Sequence, residues 1–204
     1  MRDMNLPKVI VIAGPNASGK SSLAIELAKR YNGEILSADS RQVYKGFDLC
    51  SGKVTKEGME IIPHHMIDIC NVGDAYSVSE YQKAVYELIP QIISRGHIPL
   101  LVGGTGLYIS SVAYGYQFEK ELQDPEFRKE LEEKSVEELQ NMLPREALEY
   151  FNGNRSDLHN KRRLIRVLER LRSGEKLEQK NHLIFNTLQL GVRWKKEILH
   201  RRIE

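Results

Sequence analysis

The feature that most constrains the fold of this chain is a glycine-containing loop that lies between an apolar run and a helical pattern. The loop, residues 14–21, reads GPNASGKS and fits G-x-x-x-x-G-K-[ST]. It follows residues 8–13, a β-branched run typical of a strand buried on both faces. It precedes residues 21–31, where apolar side chains recur at helical spacing. Because amides of such a loop and the following helix N-terminus attract anions, we predict a phosphate site.

Each residue of this loop has an expected role. Lys20 would contact the terminal phosphate, and the hydroxyl of Ser21 would hold Mg²⁺. The alternative is an accidental glycine turn, which the strand before it and the helix after it disfavour. The predicted diphosphate or nucleotide site comprises Gly14, Pro15, Asn16, Ala17, Ser18, Gly19, Lys20 and Ser21.

Strand and helix patterns alternate along the chain, which is typical of a parallel α/β sheet. Further strands are predicted at residues 34–38, 65–69, 98–102 and 185–192. Helices are predicted at 77–94, from 107, and at 126–134, 136–143, 157–172 and 195–204. The expected fold is a P-loop NTPase-like parallel sheet flanked by helices, with a small helical insertion. We assign residues 1–114 to the α/β core, 115–155 to the insertion, and 156–204 to a basic helix and the return to the core.

Length and composition bound the class of protein. With 204 residues, 41% of them hydrophobic, the chain has material for one ordinary core. The two cysteines, Cys50 and Cys70, have neither metal nor disulfide spacing, which indicates a reducing compartment. No signal peptide and no bilayer-spanning apolar run is recognisable. We therefore expect a soluble cytoplasmic monomer that does not bind membranes; its last helical pattern stops without a cap, as in a truncated chain.

A carboxylate is predicted to share the phosphate site. Asp39 follows the second strand, whereas the strand at 98–102 ends in Gly103 and Gly104, without a carboxylate. The carboxyl ends of strands line the ligand crevice of open α/β sheets, so Asp39 should face the loop, where it could bind magnesium or accept a proton. A turn residue that satisfies local amides is the alternative. Thr105 would either donate to a diphosphate oxygen or cap its helix.

The predicted helix at 157–172 carries an apolar face and a basic face. Residues 161–163 are all basic although they lie early in the helix, where the dipole disfavours positive charge. A phosphate partner would explain them, but a solvated face paired with carboxylates fits the charge pattern equally well. His64 and His65 have no third ligand at metal spacing, so we assign them to packing, as we do Trp194.

Five segments, in order, resemble the tRNA dimethylallyltransferase family. They are residues 14–21, 37–44 (SADSRQVY), 63–68 (PHHMID), 101–109 (LVGGTGLYI) and 159–169 (HNKRRLIRVLE). The resemblance covers nearly the whole chain. Three positions depart from the family pattern: Asn16 and Ser21 replace threonines, and Arg41 stands where methionine is frequent. Family members also continue well beyond Glu204, and Arg202 matches an arginine of the helix found there.

The resemblance implies a function and a role for each matched residue. The protein would transfer a dimethylallyl group from dimethylallyl diphosphate to the exocyclic amine of the tRNA adenosine next to the anticodon. Mg²⁺ would be its cofactor. The implied catalytic residues are Asp39, the general base, with Thr105 and Lys20. The implied tRNA-binding residues are Asp39, Ser40, Arg41, Gln42, Thr105, His159, Asn160, Lys161, Arg162, Arg163 and Arg166.

Other functions share parts of this pattern. An ATP-binding small-molecule kinase would use the same loop, because ATP and the prenyl donor both present a diphosphate. An adenylate isopentenyltransferase would perform the same chemistry on a free nucleotide. A catalytically impaired tRNA-binding homologue is the alternative that is not an enzyme.

Overall fold

A computed structural model describes residues 6–48, 52–54, 56–118, 124–151, 155–174, 177 and 182–202. The chain divides into two compact units, residues 1–116 with 181–204 (the sheet unit) and residues 117–180 (the helical unit). The sequence placed the basic helix with the return to the core, whereas the structure places it in the helical unit. Cys50 lies outside the described residues, and Cys70 is a free thiol.

The sheet unit is built on five parallel strands in the order β3-β2-β4-β1-β5. The strands are β1 (Lys8–Ala13), β2 (Gly33–Ser37), β3 (His64–His65), β4 (Ile98–Gly103) and β5 (Asn186–Gly191). All five predicted strands are present, and the α/β fold class is confirmed. β3 is shorter than the predicted 65–69 because Met66 and Asp68 adopt left-handed backbone angles, φ 64° and 56°, which end the extended run.

Helices cover both faces of this sheet. They are α1 (Lys20–Tyr31), α2 (Lys56–Ile61), α3 (Val78–Ser94) and α4 (Gly106–Ala113). A further helix, α9 (Lys196–Arg201), follows β5 and has no buried residues. Alternate residues of β1 explain the two-sided burial: Ile12 packs with α1, while Val9 and Val11 belong to the larger core with α3 and α4. A capping box begins α3, with Ser77 and Glu80 each bonded to the other's backbone amide.

The helical unit contains α5 (Pro125–Glu133), α6 (Val136–Asn141), α7 (Arg145–Tyr150), a 3₁₀ turn (Arg155–His159) and α8 (Lys161–Arg172). The single helix predicted at 157–172 is therefore wrong at its start. The side chain of Asn160 accepts from the amide of Arg163 and begins α8 there. Buried Leu164 and Leu168 pack with Leu131 and Leu139 of the other helices, which is why the basic helix belongs to this unit.

Among the described residues, no helix combines the length and the apolar character that a membrane span requires.

Candidate active site

The carboxyl ends of the central strands open into a cavity of about 470 Å³. Residues 16–21 of the phosphate loop, which joins β1 to α1, line one part of it. Asp39 and Gln42, beyond β2, line another part, and Arg202 contributes from beyond α9. The phosphate loop and the predicted carboxylate thus share one cavity at one edge of the sheet.

The phosphate loop depends on unusual backbone angles. Ala17 and Gly19 have φ values of 59° and 89°, both in the left-handed region. The Lys20 side chain is buried, and its Nζ donates to the carbonyl oxygen of Pro15 at 3.0 Å. Burial lowers the pKa of Lys20, and the nearby negative charge of Asp39 partly opposes that shift. The Ser18 hydroxyl is also buried, without a hydrogen-bond partner in the described part of the chain.

Asp39 is positioned by the close approach of two strand ends. The amide of Ala38 donates to Val102 at 2.7 Å, and the amide of Thr105 donates to Ala38 at 3.0 Å. A side chain at Gly103 would place its Cβ 2.1 Å from the Ala38 oxygen, so only glycine permits this approach. One Asp39 oxygen accepts from the amide of Arg41 at 2.9 Å, which fixes the carboxylate in a local turn while it lines the cavity.

Thr105 is bonded to the segment that follows Asp39. Its Oγ1 accepts from the amide of Ser40 at 2.9 Å and donates to the Ser40 hydroxyl at 3.3 Å. Thr105 is the N-cap residue of α4, which was one of its two predicted alternatives, but its side chain makes no hydrogen bond to the helix N-terminus. Thr105 therefore ties the 39–42 turn to β4.

Gln42 is held by a chain of hydrogen bonds that reaches the core. The hydroxyl of Ser37 donates to its Oε1 at 2.7 Å, and the hydroxyl of Tyr81 donates to the Ser37 carbonyl at 2.8 Å. Tyr81 is fully buried and stacks on Tyr108, with ring centroids 4.0 Å apart. Because the Oε1 of Gln42 already accepts the Ser37 hydroxyl, the side chain presents its amide nitrogen as a hydrogen-bond donor.

The segment after β5 closes over the phosphate loop, a contact that sequence reasoning missed. Trp194 Nε1 donates to the carbonyl oxygen of Ser18 at 2.7 Å. The Arg202 guanidinium lies 5.2 Å from the centroid of the Trp194 ring and lines the cavity. Trp194 is 43% exposed, and the contacts it makes are with the phosphate loop and Arg202. The loop and the tryptophan are 176 residues apart, and no local pattern signals the pairing.

The two adjacent histidines have different environments. His65 Nε2 lies within hydrogen-bonding distance, 2.6 Å, of a Glu34 carboxylate oxygen. His64 lines the cavity, and its Nδ1 lies 2.6 Å from the Ile62 carbonyl oxygen. Since a carbonyl can only accept, Nδ1 carries the proton in the neutral ring; burial lowers the pKa of His64. Within the described ranges, no group of three or more His, Cys, Asp or Glu side chains is arranged to hold a metal ion.

The predicted tRNA-binding residues of the helical unit lie around the N-terminus of α8. Asn160 caps this helix, and His159 precedes it on an exposed surface. Arg163 pairs with Asp157, and Lys161 Nζ donates to the Glu132 carbonyl at 2.7 Å. Exposed Arg162 makes no ion pair or hydrogen bond within the described ranges, and Arg166 is also exposed. The basic face is therefore paired in part.

Comparison with known proteins places this arrangement in a family. The family model described as IPP transferase matches residues 42–204. A tRNA dimethylallyltransferase of Leuconostoc citreum is 40% identical over 198 residues, covering 97% of this chain and 67% of that protein. The tRNA dimethylallyltransferase of Bacillus subtilis is also 40% identical, over 203 residues, covering 96% of this chain and 65% of its own length.

Two solved structures agree with these relatives. The tRNA isopentenylpyrophosphate transferase of Bacillus halodurans superimposes with a TM-score of 0.65 at 35% identity, covering 96% of this chain and 63% of that one. A eukaryotic dimethylallyltransferase acting on tRNA superimposes with a TM-score of 0.80 at 32% identity, covering 97% of this chain and 51% of its own. The chain spans about two thirds of the length of the curated relatives it matches. On this evidence, the chain belongs to the IPP transferase family.

Proposed function

We propose that the protein transfers a dimethylallyl group from dimethylallyl diphosphate to the exocyclic amine of a tRNA adenosine beside the anticodon, releasing diphosphate. The observation that carries this proposal is the shared cavity, which places Asp39 in the same lining as the phosphate loop. The names of the relatives support the same reaction. Its tRNA substrate supports a cytoplasmic location.

The diphosphate of the donor is proposed to bind at residues 16–21 together with Arg202. The buried Ser18 hydroxyl supports this placement, because a phosphate oxygen would supply the partner that it lacks within the described ranges. Lys20 and Arg202 add positive charge in the same cavity. These groups stabilise the negative charge that develops on the departing diphosphate.

Magnesium fits the residues present. The Ser21 hydroxyl is exposed and lines the cavity, and it would be one oxygen ligand. Mg²⁺ keeps several waters and binds substrate phosphates, so a site with few protein ligands suits it. When bound, Mg²⁺ would neutralise part of the charge on the diphosphate.

Asp39 is proposed to accept the proton. The bond between C1 of the dimethylallyl group and the diphosphate oxygen breaks, and that oxygen keeps the electron pair. The adenine N6 forms a new bond to C1 and loses one proton to the Asp39 carboxylate. The amide of Arg41 orients that carboxylate at 2.9 Å, and Thr105 fixes the turn beside it.

The acceptor must be extruded from the anticodon loop to reach a cavity. Ser40, Arg41 and Gln42 adjoin Asp39, and we propose that they contact the extruded adenosine. The exposed cations of α8, Arg162 and Arg166, are proposed to bind tRNA phosphates, as are His159, Asn160, Lys161 and Arg163 beside them.

The test is product identification with purified protein, Mg²⁺, dimethylallyl diphosphate and unmodified tRNA. Nucleoside analysis by mass spectrometry should reveal isopentenyladenosine next to the anticodon. Product on free AMP but not on tRNA would indicate an adenylate isopentenyltransferase. Phosphoryl transfer from ATP would indicate a kinase, and donor binding without turnover would indicate an impaired homologue.

A further inference from the structure

The cavity lining includes apolar residues as well as the phosphate loop. Two apolar residues, Val54 and Ile67, line it from loops outside the sheet, and Gly52 also belongs to the lining. We define Val54 and Ile67 as the apolar wall. Neither residue belongs to a strand or helix, so contacts between loops must hold this wall in place.

Lys53 makes the contacts that join these loops. Its Nζ donates to the Asp68 carboxylate at 2.6 Å, the Tyr44 carbonyl at 2.7 Å and the Asp48 carboxylate at 3.0 Å. An ammonium group has three donors, so all three are used. The Lys53 side chain is 5% exposed. Burial lowers its pKa, but the bonds to Asp68 and Asp48 outweigh burial and raise the pKa above its usual value.

Each residue of the apolar wall is next in sequence to a residue of the Lys53–Asp68 ion pair. Val54 follows Lys53, and Ile67 precedes Asp68. A displacement of Lys53 would therefore be transmitted directly to both wall residues.

The Ile67 loop also has a strained backbone that needs support. Met66 and Asp68, on either side of Ile67, both have left-handed φ angles. For an L-residue such as methionine this conformation costs about 1 kcal/mol or more. The amide of Asp68 donates to the Gln42 carbonyl at 3.0 Å, and the Lys53 ion pair holds the same residue through its side chain. The strain and its support together point Ile67 into the cavity.

We propose that Lys53 is a positioning residue that holds the apolar wall against the hydrocarbon group of dimethylallyl diphosphate. This inference rests on the proposed function, because it concerns the part of the donor that the phosphate loop does not bind. A branched five-carbon group needs apolar contact, and the wall supplies it while excluding water from the reacting carbon.

The test separates the two halves of the donor. Dissociation constants for inorganic diphosphate and for dimethylallyl diphosphate are measured by calorimetry, with Mg²⁺ and without tRNA, on native protein and Lys53→Met. We expect the constant for inorganic diphosphate to change less than about twofold. The constant for dimethylallyl diphosphate should rise about fivefold, since losing contact with one or two methyl-sized groups has that effect.

Matched variants locate the effect in the wall. Ile67→Ala and Val54→Ala remove wall side chains directly. Each should weaken binding of dimethylallyl diphosphate but not of inorganic diphosphate, and these variants carry the test if Lys53→Met does not fold. Adding Ile67→Ala to Lys53→Met should weaken donor binding less than the sum of the single changes, because both act on one contact. Lys134→Met removes a lysine of the helical unit that pairs with Glu130 at 3.1 Å, and should change neither constant.

Defined outcomes overturn the proposal. If Lys53→Met weakens the binding of both ligands equally, or of neither, a role in positioning the wall is contradicted. Native protein that binds inorganic diphosphate as tightly as the prenyl donor would also overturn it, while leaving prenyl transfer intact. Failure of native protein to bind either ligand would count against the proposed function itself.

Discussion

The indole Nε1 of Trp194 donates a hydrogen bond to the carbonyl oxygen of Ser18, 2.7 Å away, and so ties the end of the sheet unit to the phosphate loop. Arg202 stacks on the same ring and lines the cavity. The proposed phosphate site therefore combines residues from both ends of the described chain. Trp194 orients the loop backbone and the arginine together.

Trp194→Phe should weaken diphosphate binding. The variant keeps an aromatic ring under Arg202 but loses the N–H, and a net hydrogen-bond loss of about 1 kcal/mol corresponds to roughly fivefold in affinity. Calorimetry with inorganic diphosphate checks this. Tyr31→Phe, an exposed aromatic residue at the end of α1, is the control and should bind normally. Unchanged affinity in Trp194→Phe would show that the bond does not organise the loop.

Gly103→Ala should be strongly destabilising. The added Cβ would lie 2.1 Å from the Ala38 oxygen, so β2 and β4 would have to separate at the site. We expect a loss of about 3 kcal/mol in the free energy of unfolding, measured in urea. Gly106→Ala is the control, since a Cβ there meets nothing within 4 Å, and its stability should change by less than about 0.5 kcal/mol. Equal stability of the two variants would refute the close approach.

Glu34 should make stability depend on pH in the acidic range. The guanidinium of Arg95 lowers the pKa of Glu34 to about 2, with His65 and His97 also bonded to it and burial opposing. Because the pKa of Glu34 is lower in the folded protein than the 4.5 of the unfolded chain, its carboxylate stabilises the fold fully at pH values above 4.5. That stabilisation is lost as the pH falls from 4.5 toward 2. Glu34→Gln should remove this dependence and cost about 2 kcal/mol at pH 7.

Denaturant titrations of both proteins between pH 2 and 7 check the Glu34 prediction. Glu87→Gln, an exposed carboxylate of α3, serves as the control and should follow the native profile. Parallel curves for native protein and Glu34→Gln across this range would contradict the assigned role.

Arg162→Ala should weaken tRNA binding without affecting the donor. This exposed side chain has no ion pair within the described ranges, so its charge is available to a phosphate. Loss of one phosphate contact should reduce the slope of log affinity against log salt by about one. Arg172→Ala is the control, because that residue pairs with Asp124 at 3.0 Å and covers Phe127. If both variants gave the native salt slope, Arg162 would not contact RNA.

Local patterns predicted the framework of the sheet unit but not the closure of its site. The β-branched run of β1, the loop after it and the helix α3 are each encoded within a short stretch of sequence, and each was predicted. The sequence did not predict that a 3₁₀ turn precedes α8, because the whole of residues 157–172 has a helical pattern. The side chain of Asn160 caps α8 and so begins the helix within that pattern.

The contacts missed from the sequence are all long-range or depend on irregular backbone. Trp194 reaches Ser18 across 176 residues. Lys53 binds acceptors 5 to 15 residues away through loops that have no periodicity. Left-handed backbone at Met66, which no propensity favours, brings Ile67 into the cavity. Such contacts arise from tertiary packing, which local sequence patterns do not predict.

The most direct measurement of the central claim is single-turnover prenyl transfer to tRNA by Asp39→Asn, with donor affinity measured in parallel. Asparagine keeps the oxygen that accepts from the Arg41 amide but removes the proton acceptor. We predict unchanged affinity for dimethylallyl diphosphate and a rate of isopentenyladenosine formation at least about 100-fold lower. A variant that forms product at the native rate would contradict Asp39 as the base and the shared cavity as the reaction centre.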